Sequence, residues 1–159
     1  MQFRNIIAAI DIEDDLAKGV LKAAHGLAQK DGAKLSVACV WPSVTITAPA
    51  FSGEVAATAA TVTQAVIEQH REGRERCKAQ LGEMIAANAP GAEAVVLDGD
   101  PADETVAYAE KIDADVIVTG SHQRNFWNSL IQGSPSRELV REAPCAVFLV
   151  TKAAAAKYA

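Results

Sequence analysis

Four residues in the last third of the chain, Gly120, Gly133, Ser134 and Ser136, are of the types that a phosphate cradle uses. A bound phosphate needs several N–H groups pointing inward, no Cβ in the way, and preferably the start of a helix behind them. Gly120 lets the chain turn sharply away from the β-branched run "DVIVTG", and Gly133 with Ser134 can bring donors and a hydroxyl to a helix start. Between them, Arg124 offers a guanidinium for charge-assisted hydrogen bonds to phosphate, or else it is a solvated loop charge. His122 could touch a phosphate or act as a general base, yet no nucleophile or carboxylate partner is evident for it. Pro135 removes one N–H from the first helical turn, where an anion would use it. Ser134 and Ser136 also read as helix caps. Phe126 and Trp127 read as residues that fold the loop down or present a partner surface, in preference to stacking on a base.

A second position with chemistry is Asp11, at the end of the apolar run "IIAAID". Its carboxylate could accept from a ribose hydroxyl or an adenine amine, or cap the following helix. Asp14 and Asp15 are better placed for capping, so Asp11 is expected to be available to a ligand. Cys39, Cys77 and Cys145 are scattered, without a Cys-x-x-Cys pair or nearby histidines, and each reads as a small buried hydrophobe. His25 and His70 fall on or beside helical faces and read as structural. There is no metal-ligand constellation, catalytic triad or nucleophile elbow in the sequence, so fast hydrolysis of a bound nucleotide is not expected.

The elements that must position these residues follow from hydrophobic pattern. Five short runs, "RNIIAAID", "KLSVACVW", "EAVVLD", "DVIVTG" and "CAVFLV", are nearly continuous apolar stretches, as in parallel strands buried on both faces. A first crossover helix shows Leu16, Val20, Ala23 and Leu27 on one stripe, with Lys30 in its last turn and Gly32 as C-terminal cap. The second carries Val66, His70, Gly73, Cys77, Leu81 and Met84, and its charge run "HREGRER" reads as a solvated face. The stretch from Leu35 to Gly53 lacks charge but holds two prolines, and reads as a strand followed by a long loop reaching to about Thr61. Asp100 is the expected N-cap of a third helix with Pro101 at its first position, and a fourth starts at Ser134 and stops at Pro144. The order is β-α-β-α-β-α-β-α-β, a doubly wound sheet with helices on both faces, whose ligands bind beyond the carboxyl ends of the strands.

Length and charge narrow the classes. The chain has 159 residues, enough for one domain, taken as 1–152 with a short tail over 153–159. A net charge of -5 without a basic stripe argues against a nucleic-acid or anionic-membrane partner. The start "MQFRNIIAAIDIEDD" turns acidic too soon for a signal peptide, so a cytoplasmic protein is expected.

The segments "IIAAIDIEDD", "LDGDPADETVAYAEKIDADVIVTGSH" and "GSPSRELVREAPCAVFLV" together resemble the universal stress protein family across essentially the whole chain. That resemblance implies a single open five-stranded parallel sheet of order 3-2-1-4-5 and a homodimer through the last strand, Cys145 to Val150. Nucleotide-binding members carry a loop of the form Gly-x-x-Gly-x9-Gly-Ser/Thr; Gly120, Gly133 and Ser134 fall on that spacing, and Gln123 stands where the second glycine would be. Where left-handed backbone is required, a residue with a Cβ costs about 1 to 2 kcal/mol. The resemblance further implies that Asp11 and Val40 would contact ribose or adenine, with Mg2+ accompanying the phosphates of ATP. Members without nucleotide have a degraded loop, and "SHQRNFW" resembles a stretch found in some of them. Two readings therefore stand: an ATP-binding stress sensor or regulator, not an enzyme, or a stress protein without nucleotide that works as an interaction module for a regulatory protein partner. A flavin protein is disfavoured, because the first strand is not followed by a hydroxyl-rich phosphate segment.

Overall fold

The computed structural model describes residues 2–44, 54–121 and 135–158, with backbone alone over 54–60 and 135–138. The elements run β1 (Asn5–Ala9), α1 (Ala17–Asp31), β2 (Lys34–Trp41), α2 (Glu54–Asn88), β3 (Glu93–Asp98), α3 (Pro101–Lys111), β4 (Val116–Gly120), α4 (Pro135–Glu142), β5 (Ala146–Val150) and α5 (Lys152–Ala155). The five strands form one parallel sheet in the order β3-β2-β1-β4-β5, the order that the family resemblance implies.

Alternation along β1 divides the core into two layers. Ile6, Ala8 and Ile10 face α1 and α2, whereas Ile7 and Ala9 face α3 and α4, where Ala102, Ala109 and Leu139 meet them. All five residues from Ile6 to Ile10 are fully buried, which is why β1 and its continuation read as a continuous apolar run. Each fully buried aliphatic side chain of this kind stabilises by roughly 1.5 to 3 kcal/mol relative to exposure.

Local signals set the ends of the helices. Gly32 ends α1 in the left-handed region, φ 67°, with its N–H donating to the Ala28 carbonyl. Asp100 caps α3 from an extended conformation, its carboxylate accepting from the Ala102 and Asp103 N–H groups, with Pro101 in the first turn. Asp14 does not act as the N-cap of α1: Leu16 holds that position without a side-chain cap, and Asp14 Oδ1 accepts from the Leu16 N–H 2.7 Å away. The buried stripe of α1 is Leu16, Val20, Leu21, Ala24 and Ala28, so Ala23 and Leu27 sit at its half-buried margin.

Two boundaries differ from the sequence reading. Helix α2 begins at Glu54, so 54–61 is helix where a loop was expected. No buried repeat announces its early turns, because Thr61, Val62, Ala65 and Val66 are all exposed. The tail contains α5, capped by the Thr151 hydroxyl accepting from the Ala154 N–H, and Ala155 lies directly against Gly19 of α1. Among the described residues no helix is long and apolar enough to cross a membrane.

Candidate functional site

The sheet turns its carboxyl ends toward one edge, and the chain leaves each strand there by a residue fitted to the exit. β1 continues from Ala9 through Ile10, whose N–H donates to the Ala38 carbonyl, and reaches Asp11. β3 ends at Asp98, followed by Gly99 at φ 144°, where a side chain would press on Glu104 at 2.9 Å. β4 ends at Gly120, paired with Val150, and the Ser121 N–H donates to the Val150 carbonyl. Because Ala9 pairs with Thr119, Asp11 and Ser121 each lie two residues past paired positions, and the chain emerges side by side at the point where the strand order reverses.

A cleft of about 490 Å³ opens at this edge, lined by Asp11, Val40, Trp41, Gly99, Asp100 and Cys77 among others. That volume is within the range of small-molecule sites, roughly 300 to 1,000 Å³. Asp11 and Val40, singled out from separate segments of the sequence, are thus brought together. Asp11 Oδ1 accepts from the Glu13 N–H at 2.9 Å, an Asx-type turn that the sequence reading did not foresee. A carboxylate has about four acceptor positions, so this turn and a ligand hydroxyl are compatible. Gly120 closes β4 as expected, and Pro135 opens α4. His122, Gln123, Arg124, Gly133 and Ser134, with Phe126 and Trp127, lie outside the described residues, and for Pro135 and Ser136 only the backbone is described.

Helix α2 backs the cleft, contributing Cys77 to its lining and supporting Trp41 from behind. Trp41 rests on Gly73, where a side chain would collide with the indole. The His70 ring lies 5.8 Å from that of Trp41, and its Nε2 is 2.6 Å from the Pro42 carbonyl. Arg74 is not simply part of a solvated face: it forms a bidentate pair with Asp98 at 2.8 and 3.0 Å, and it donates to the Val96 carbonyl. The pair with Asp98 holds the Arg74 guanidinium above its ordinary pKa and ties α2 to the end of β3.

Cys39 of β2 and Cys77 of α2 meet at the floor, Sγ to Sγ 3.6 Å, both buried. The hydrogen bond with Cys77 and burial push the Cys39 thiol far up, while the hydrogen bond from Cys39 and the nearby Arg74 charge pull Cys77 down. The sequence reading treated these cysteines as isolated. They are 38 residues apart, and only the spatial neighbourhood of β2 and α2 could have paired them.

Acidic groups dominate the rim: Asp11, Glu13 and Asp100 line this cleft. Such a surface suits the hydroxyls and amine of a nucleoside as donors, and it repels phosphate, which is better placed toward Gly120 and the start of α4. A larger depression of about 800 Å³ lies at the opposite, amino edge of the sheet, lined by Asn5, Gln29, Gly32, Lys34, Gly91 and Ile112 among others. The carboxyl ends of α1 and α3 converge there, presenting carbonyls that disfavour anions.

A doubly wound parallel sheet with its cleft beyond the carboxyl ends defines the class of protein. The profile of the universal stress protein family matches residues 2–151, and the chain belongs to that family. It is 32% identical over 148 residues to the universal stress protein in the QAH/OAS sulfhydrylase 3' region of Thermus aquaticus, covering 93% of this chain and 98% of that one. Among solved structures, the universal stress protein UspA from Lactobacillus plantarum superposes with a TM-score of 0.65 at 21% identity, covering 94% of this chain and 98% of that one. A universal stress protein in complex with cAMP superposes with a TM-score of 0.55 at 18% identity, covering 94% and 97% respectively.

Proposed function

We propose that this chain is a cytoplasmic, homodimeric sensor or regulator of the stress response that binds an adenine nucleotide, ATP, at the carboxyl edge of β1, β2 and β4. The observation that carries the reading is the shared cleft of Asp11 and Val40 beside the end of β4. The acid-rimmed part takes the nucleoside, with Asp11 accepting from its hydroxyls, and the phosphates with their Mg2+ lie toward Gly120 and α4; in sequence, the stretch between Gly120 and α4 contains His122, Arg124 and Ser134 as polar candidates. The cAMP complex of a structural relative supports an adenine ligand for this fold. Dimerisation is supported by β5, an edge strand with Phe148 and Leu149 exposed at 51% and 40%. An uncovered apolar edge of this kind is an invitation to pair. The same apolar edge, together with Gln123 in the glycine position, favours a second reading in which the protein works without nucleotide through its surfaces.

Thermal unfolding with ATP, ADP, AMP and no nucleotide, with and without Mg2+, separates the two. A ligand at a hundred times its Kd stabilises the native state by about 2.7 kcal/mol. At roughly 2 to 4 °C per kcal/mol for a chain of this size, that is a rise in Tm of about 5 to 11 °C. No rise at millimolar nucleotide would overturn the first reading.

A further inference from the structure

We propose that Cys39 and Cys77 form a redox couple, which a hydroperoxide oxidises to an intramolecular disulfide joining β2 to α2 at the floor of the cleft. The inference does not depend on nucleotide binding.

Three observations converge on it. The two sulfurs already touch at 3.6 Å, and a disulfide requires an approach of about 1.5 Å more, to roughly 2.05 Å. Both residues line the cleft, so a small oxidant reaches them although little of either is exposed; hydrogen peroxide is close to water in size, about 30 Å³, against the 490 Å³ available. The pair is also asymmetric. Arg74 lies near Cys77, and the hydrogen bond from Cys39 favours the Cys77 thiolate, which makes Cys77 the attacking sulfur and Cys39 the resolving one. Cys145 provides an internal contrast: it is partly buried, and its thiol is pushed up by that burial.

The chemistry balances with one peroxide. The Cys77 thiolate attacks a peroxide oxygen, the O–O bond breaks, and the departing oxygen leaves as hydroxide or alkoxide, giving a sulfenic acid on Cys77. The Cys39 sulfur then attacks the Cys77 sulfur as its proton is taken up by the departing base. The S–O bond breaks, the S–S bond forms, and hydroxide leaves to become water. Two electrons pass from the two sulfurs to the peroxide. A resolving sulfur already in contact traps the sulfenic acid before a second peroxide can carry it to the irreversible sulfinic state.

The test treats the reduced full chain with stoichiometric hydrogen peroxide, counts thiols, and maps linked peptides by mass spectrometry. Free thiols should fall from three to one, with a Cys39–Cys77 peptide that dithiothreitol separates and with Cys145 still reduced. Cys39→Ser should leave a sulfenic acid on Cys77 that dimedone captures. Retention of all three thiols, first oxidation at Cys145, or oxidation of Cys77 in the wild type without a link to Cys39 would each overturn the proposal, whether or not the chain binds nucleotide.

Discussion

Two glycines on the same helix give a direct measure of how α2 supports Trp41 of the cleft lining. Gly73 and Gly82 both lie within α2, and replacing either by alanine removes the same helix penalty, about 0.5 to 1 kcal/mol. Their surroundings differ. A Cβ on Gly82 meets nothing within 4 Å, whereas one on Gly73 sits 2.7 Å from Trp41 Cζ2 and 3.1 Å from Cη2. Carbon atoms prefer about 3.5 to 4.0 Å, so the indole or the helix must move by about 1 Å. Overpacking of this order costs about 1 to 3 kcal/mol. The propensity gain is common to both variants and cancels in their difference, which leaves the clash alone. Gly82→Ala should therefore stabilise the protein, and Gly73→Ala should fall about 1 to 3 kcal/mol below it. Urea unfolding followed by circular dichroism reads this as midpoints separated by about 0.5 to 1.5 M, for a slope near 2 kcal/mol/M. Equal midpoints would refute the docking of Trp41 on Gly73.

Asp11→Ala should abolish the rise in Tm with ATP; an unchanged rise would remove Asp11 from the site. Asp100→Ala removes the cap of α3 and should cost about 1 kcal/mol, or roughly 2 to 4 °C in Tm by calorimetry. Asp115 Oδ2 accepts from the Asn5 and Arg4 N–H groups, and these bonds hold its carboxyl below the ordinary range. A depressed pKa contributes stability above the unfolded value, about 3.9, that is lost as pH falls through the folded one. Wild type should accordingly exceed Asp115→Asn in stability at neutral pH, with the gap closing in unfolding curves taken below about pH 4.

What the sequence disclosed, and what it concealed, has a physical pattern. Strands buried on both faces, such as Ile6 to Ile10, announce themselves because every position is apolar. Caps such as Asp100 and Gly32 are equally visible, because the backbone demands those residue types locally. The start of α2 was concealed since the exposed stretch Thr61 to Ile67 carries no buried stripe to set a period. Contacts across the chain were concealed for another reason: Arg74 looked like one more surface charge in "HREGRER" until β3 brought Asp98 to it, and Cys77 looked like a core residue until β2 brought Cys39. Asp11 was legible as a cleft residue by its place at a strand end, but its turn to Glu13 depends on backbone geometry that residue types alone do not fix.

The most direct test of the central claim is an amide 1H–15N spectrum of the protein titrated with ATP. Binding at the carboxyl edge should shift the amides around Asp11, Val40 and Gly99, together with Gly120 and Ser121, and leave those of Gln29, Gly32 and Gly91 at the opposite edge in place. A spectrum unchanged at millimolar ATP, or shifts confined to the amino edge, would contradict it.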